Sequence, residues 1–418
     1  MNFHRLKTWS PLNLFSFICL LAISPITALA VNGPVTTNNP FAGTWAASLK
    51  CPGGEIEFQL ELAFQPKHFT GFIVNGTEKI KIERVAVEKD VVRIEFPHYD
   101  SFIEAKLVKE NQLKGTWTKV VGKDKQDVLS FQATRGKRKF NNADGQLIAG
   151  RYSVRFESST DMAVGKFQNQ KEFLAGTFLT TTGDYRYLAG SYQRKSNELK
   201  LSCFDGGHAF LFRAKRGIDG GLEGDFWSRS SWHEKWTGIK NSQATIDDGF
   251  KQVEWAGVKT SQLEFPDLNG KTRALNDKAF QGKVKIVQVF GSWCPNCHDA
   301  SVFLNELKKS YESRGLKVVG LAFELTGDFA RDRNQILRYK KRTGADYPIL
   351  IAGIADKKKA TKQLRILSQV KSYPTTIFLD QNDKPLAIHS GFTGPATGDA
   401  YEALKKKFIG IIEKQLER

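Results

Sequence analysis

Apolar and polar residues alternate along most of the chain from Phe41 to about Thr245. Ile56, Phe58, Leu60 and Leu62 alternate with Glu57, Gln59 and Glu61, and Val92-Arg93-Ile94-Glu95-Phe96 repeats the pattern. Period two, broken by Gly and Asn-Gly turns such as Asn75-Gly76, predicts antiparallel strands with one buried face. From about Trp255 the pattern changes. Val284 to Phe290 is a short β-branched apolar run, and Pro295 to Arg314 has helical spacing with Leu304 and Leu307 inward. Leu316–Phe323, Tyr347–Ala352, Thr375–Leu379 and Leu386–His389 follow as strands, with helices predicted at Phe329–Arg342, Asp356–Leu367 and Tyr401–Leu416. Strands alternating with helices indicate a βα-type sheet covered on both faces.

The β region contains an internal duplication. Gly43-Thr44-Trp45 is echoed by Gly150-Arg151-Tyr152, Thr70-Gly71-Phe72 by Gly176-Thr177-Phe178, and Leu113-Lys114-Gly115-Thr116-Trp117 by Leu222-Glu223-Gly224-Asp225-Phe226. Two copies of a meander either close into one barrel, the reading favoured here because closure removes sheet edges, or pack as a sandwich. The expected organisation is a multidomain chain. A signal peptide occupies 1–30 and a lead 31–40; a barrel-like all-β domain with repeats at 41–136 and 147–245 follows, then a linker at 246–254 and an α/β domain at 255–418.

The N-terminus has the three-part layout of an export signal: Arg5 and Lys7, an apolar stretch from Leu12 to Ile26, and Ala28-Leu29-Ala30. Cleavage is expected after Ala30, giving a periplasmic or other extracytoplasmic protein. Cys51, Cys203, Cys294 and Cys297 then remain, in a compartment where disulfides persist. A formal charge of +18 is spread along the chain among 44 acidic residues and accompanies no nucleic-acid motif, so nucleic acid is not an expected partner. Nothing in the sequence demands a metal.

Cys294 and Cys297 have the spacing that puts two thiols on the first turn of a helix. There the unpaired amides and helix dipole stabilise a thiolate, and Pro295 suits the first helical position. Cys294 is therefore the candidate nucleophile and Cys297 the resolving thiol of a redox disulfide. The run Phe290-Gly291-Ser292-Trp293-Cys294-Pro295-Asn296-Cys297 after a buried strand, with Ser372-Tyr373-Pro374-Thr375-Thr376-Ile377-Phe378-Leu379-Asp380 downstream, resembles the thioredoxin superfamily. It is most similar there to the TlpA/ResA group of exported thiol-disulfide reductases, as is the Phe265-Pro266-Asp267-Leu268-Asn269-Gly270-Lys271 hairpin. The resemblance covers Trp255 to Arg418. It implies a thioredoxin fold, dithiol–disulfide exchange with protein substrates, no cofactor beyond the cysteine pair, and a membrane thiol donor of the DsbD or CcdA kind. It also implies that Pro374 is a cis proline facing the disulfide, with Trp293 and the Tyr373 backbone in contact with substrate.

Departures from the family pattern qualify the carry-over. Asn296 stands where proline is common. Gln288 replaces the buried acid of thioredoxin and cannot relay a proton, so Glu324, at the end of the next strand, is the substitute candidate to take the proton of Cys297. Cys294-Pro-Asn-Cys297-His298 alone is also a c-type haem attachment pattern, but the buried strand, Trp293 and the downstream proline favour the thioredoxin reading, which leaves His298 on the helix surface near the site. Peroxiredoxin-like peroxidase chemistry is disfavoured by Gly291, three residues before Cys294. Cys51 and Cys203 lie in different repeats, either as a structural disulfide or as buried free thiols. The segments 182–187 and 203–208 read as turns and core. A binding module, with the β domain recognising a partner and the thioredoxin fold sensing redox state, is the competing function.

Overall fold

The computed structural model describes residues 39–65 and 68–417. The expected signal peptide, and nearly all of the lead, lie outside the described residues. The β region is built from two nine-stranded antiparallel sheets, one per repeat. In the first, Gly43–Cys51 pairs with Gly54–Gln65 on one side and with the last strand, Lys125–Arg135, on the other. In the second, Gly150–Phe156 pairs with Met162–Asn169 and with the last strand, Trp232–Lys240, and pairing of Met162–Asn169 with Leu174–Thr180 closes the ring.

Each repeat therefore makes its own sheet, closed into a barrel by strand pairing in the second and barrel-like around its own core in the first, where one shared barrel was the sequence expectation. In each copy the first strand pairs with that copy's own last strand, and among the described residues no strand of one copy pairs with a strand of the other. The duplicated residues do the same work in each barrel. Trp45 Nε1 donates to the Phe41 carbonyl and Tyr152 OH to the Ile148 carbonyl, both at 3.0 Å. A side chain at either Gly115 or Gly224 would run into a backbone carbonyl of the facing strand, that of Glu104 or Arg213. Trp117 and Phe226 point into their respective cores.

Cys51 and Cys203 are free. Of the two alternatives the sequence left open, the bridge is thus replaced by buried thiols, because Cys51 belongs to the core of the first barrel and Cys203 to that of the second.

The C-terminal sheet runs Ile349–Ile354, Leu316–Glu324, Val284–Phe290, Thr375–Asp380, Pro385–Ser390 in spatial order. The first three strands are parallel and the last two antiparallel to their neighbours. Four helices accompany it: α1 (Pro295–Tyr311), α2 (Phe329–Thr343), α3 (Lys357–Leu364) and α4 (Asp399–Leu416). Every residue of Val284–Phe290 is buried, as expected for a strand covered on both faces. Leu304 and Leu307 of α1 and Leu404, Phe408 and Ile412 of α4 share one core with it. Side chains start the helices where the sequence puts short polar residues: Asp328 accepts from the Arg331 amide and Asp356 from the Lys359 amide. Within residues 246–254, Ile246 packs against Val164 and Leu179 of the second barrel's strands, whereas Phe250 meets His389 and Phe408 edge-on and Val253 joins the C-terminal core.

Candidate active site

Cys294 is the N-cap of α1 and Pro295 its first residue. The Cys294 Sγ accepts from the Cys297 amide at 3.3 Å and lies 3.5 Å from the Tyr373 carbonyl oxygen. An amide aimed at the sulfur and a helix dipole behind it are what hold a thiolate. The Tyr373–Pro374 peptide is cis, as the resemblance implied, and opens the strand that continues to Asp380. Trp293 sits over the pair: its indole N–H donates to the Phe323 carbonyl at 2.9 Å, and its ring meets Tyr373 edge-on. Cys297 is fully buried beneath. Burial first, and then the neighbouring Cys294 sulfur, push its thiol well above the ordinary cysteine range.

Glu324, the candidate proton acceptor, is fully buried at the end of its strand. Its oxygens, however, are both engaged by Ser292, which donates from its amide at 2.9 Å and from its hydroxyl at 2.6 Å. Ser292 thus links the carboxyl to the loop that carries Cys294. Burial raises the Glu324 carboxyl to about 7 against the pull of the two Ser292 hydrogen bonds, and its charge acts on Cys297. Gln288, in the place of an acid, takes no part in titration. Its Oε1 accepts from Ser301 and Tyr347, both at 2.9 Å, and Tyr339 OH ends this buried network on the Cys297 carbonyl.

A carboxyl raised in the folded state binds a proton that the unfolded chain releases, so wild-type stability falls as pH climbs from about 4.5 to about 7. Glu324→Gln keeps the shape and both Ser292 partners but removes this loss. Denaturant unfolding at pH 5 and pH 8 is expected to show the variant gaining on the wild type by up to about 3 kcal/mol between the two. A pH-independent difference would mean that Glu324 ionises at its ordinary value.

His298 is buried, not on the helix surface. Its Nε2 lies 2.8 Å from the Ser292 carbonyl, and its ring packs between Tyr339 and Tyr99 at 4.5 and 4.7 Å. The reason is the first barrel: the turn Pro97–Tyr99 covers this face of α1 and is fixed to α2 through Gln335, which donates to the His98 carbonyl at 2.8 Å. Burial keeps the imidazole neutral, well below its usual range. Asn296, the departure from the family pattern, has a partner from the second barrel: its amide donates to the Asp184 carbonyl at 3.3 Å.

Beside it lies a charge cluster that sequence reasoning missed. Arg186, at a positive φ of 62°, is buried against Asp299 of α1, with Glu78 of the first barrel at 3.5 Å and Asp205 of the second at 3.4 Å. Asp184 meanwhile accepts from the Gly394 amide at 2.6 Å. Burial pushes Glu78 to about 7 and Asp299 to about 6. Asp205 would rise through burial too, but His208 and Arg186 hold it below the carboxylate range. The one signal available was the polar run 182–187, which reads as an ordinary turn because Asp299 and Glu78 are more than a hundred positions away in the chain.

Residues 255–404 match the Redoxin family model. The thiol-disulfide oxidoreductase ResA of Geobacillus thermodenitrificans is 25% identical over 137 residues, 32% of this chain and 69% of that protein. The thioredoxin-like protein YneN of Bacillus subtilis is 26% identical over 135 residues, 32% of this chain and 71% of its own. A structure described as a putative thiol:disulfide interchange protein DsbE from Chlorobium tepidum is 21% identical, covers 37% of this chain and 92% of its own, and superposes with a TM-score of 0.28. The family match and the named relatives support the class, a thiol-disulfide oxidoreductase. Its C-terminal part is a thioredoxin-like domain of the TlpA/ResA type.

Proposed function

We propose that this protein is an exported protein-disulfide reductase that works through Cys294 and Cys297. The observation that carries the reading is the placement of Cys294 as N-cap of α1, with its sulfur on the Cys297 amide and beside the Tyr373 carbonyl. The Cys294 thiolate attacks one sulfur of a substrate disulfide, forming a mixed disulfide and expelling the other sulfur as a thiolate that takes up a proton. Cys297 then loses its proton and attacks the Cys294 sulfur. This step releases the second substrate thiol and leaves an enzyme disulfide, so two electrons and two protons have passed to the substrate.

The second step has a built-in order. While Cys294 is a thiolate, its charge holds the Cys297 proton in place; once that sulfur is in a mixed disulfide, the charge is gone and the proton leaves more readily. Glu324, at about 7 and joined to the motif through Ser292, is assigned that proton. Trp293, Tyr373 and Pro374 form the contact surface for an extended substrate segment. The enzyme disulfide is recharged by a membrane thiol donor of the DsbD or CcdA kind, and no further cofactor enters. Export rests on the signal-peptide layout of residues 1–30. Peroxidase chemistry has no support at Gly291, where any side chain would collide with the Trp293 indole.

The test is an exchange assay in which the reduced mature chain is mixed with a protein carrying one accessible disulfide. One substrate disulfide should be reduced per Cys294–Cys297 pair consumed, and none by a Cys294→Ser chain. A Cys294→Ser chain as active as the wild type would overturn the proposal.

A further inference from the structure

Cys294 is only 7% exposed, at the floor of a cleft of about 520 Å³ that both barrels help to wall. That is the size of a pocket for a small ligand or a few residues of extended chain, and far too small for a folded domain. The second barrel contributes an aromatic wall: Tyr185, Phe210 and Phe226 lie 5.0 to 5.5 Å from one another, and Trp232, 48% exposed, stands at the rim.

The charges lining this cleft are one-sided. Lys119 comes from the first barrel and Arg229 from the second, and among the described residues no carboxylate lines the cleft. The Lys119 ammonium is buried with one hydrogen-bond acceptor, the Tyr99 carbonyl at 3.1 Å, although an ammonium has three donors to place. Arg229 has its one ion-pair partner, Asp127, at 3.7 Å. Burial brings Lys119 down to about 8, still mostly protonated at neutral pH, and Cys294 is near enough for its charge to act on that ammonium.

We propose that this cleft selects disulfides carried on short, unfolded acidic segments. A carboxylate next to the half-cystine pairs with Lys119 and Arg229 while the apolar flank lies on Tyr185, Phe226 and Trp232. The inference rests on the exchange reading above and uses the same electron balance, from the Cys294–Cys297 dithiol to the segment's disulfide. It gives the barrels a task in choosing substrate.

The experiment follows the reduced full-length mature chain reacting with synthetic peptide disulfides of equal length, whose half-cystines are flanked by Glu, Gln or Lys. At low salt the Glu peptide should react at least about tenfold faster than the Lys peptide, and raised salt should shrink the ratio. Lys119→Met and Arg229→Gln, the second at a partly exposed position, should each cut that ratio to about threefold or less. Supplying the Glu sequence also as a flexible tail on a carrier protein separates the two sources. A tail as fast as the free peptide assigns the site to protein segments; a much slower tail assigns it to free oligopeptides. Equal rates for the three peptides, or a ratio unchanged in both variants, overturn the inference. A chain that reacts with none of them overturns the exchange reading instead.

Discussion

Replacing Cys297 by serine is expected to turn the enzyme into a trap that holds its substrate on Cys294 as a mixed disulfide. Cys294 keeps its N-cap position, its Tyr373 neighbour and the amide at residue 297, so the first attack proceeds. The second attack has no nucleophile, since the other two cysteines are sealed in the barrel cores. Turnover should fall on the order of a thousandfold, as when one member of a group acting as a unit is removed. Non-reducing gels, or mass spectrometry of the acid-quenched reaction, will show the adduct. Wild-type turnover by the serine variant, with no adduct, would remove Cys297 from the mechanism.

The largest effect on stability is expected at Arg186. Arg186→Met replaces the guanidinium with an apolar chain and leaves Asp299, Glu78 and Asp205 facing one another in the interior. Breaking a buried ion-pair network from one side costs about 3–5 kcal/mol. The loss should depend on pH. Glu78 and Asp299 already have folded-state values of about 7 and about 6, above their ordinary 4.5 and 3.8. Each therefore binds more proton folded than unfolded in that window, and stability declines as pH rises through it. Without Arg186 both rise further, so the variant should unfold at markedly lower denaturant than the wild type at pH 8, and the gap should narrow at pH 5. Because the cluster joins both barrels to α1, the variant should also expose the Cys294 region to proteolysis. A variant as stable as the wild type at pH 8 would mean that the cluster contributes nothing net.

The C-terminal half was legible because its signals are local. The β-branched run Val284–Phe290, the Cys-Pro pair that starts α1 and the Tyr373–Pro374 step each declare themselves within a few residues. The duplication was legible as well, since Gly43 and Gly150, and Gly115 and Gly224, meet the same steric demand in each copy. What the copies build was not, because choosing one barrel or two depends on which distant strands pair, and both arrangements share the same alternation. The burial of His298 and the roles of Arg186, Lys119 and Asn296 were hidden for a related reason. Each acquires its meaning from a partner in another part of the fold: His298 from Tyr99, Arg186 from Asp299, and Asn296 from Asp184. Lys119 likewise matters because its barrel places it beside Cys294. Glu324 lies between these cases. The sequence offered this carboxyl as a candidate from its place at a strand end, but its burial and its tie to the motif through Ser292 needed the structure.

The most direct test is an equilibrium titration of the intact mature chain across thiol–disulfide buffers, with each cysteine read separately by alkylation and peptide mass. Cys294 and Cys297 should convert together at one potential, nearer the roughly −270 mV of thioredoxin than the roughly −120 mV of DsbA, while Cys51 and Cys203 label only after unfolding. Independent conversion of the two, no conversion, or a midpoint at the oxidising end would contradict the reductase account.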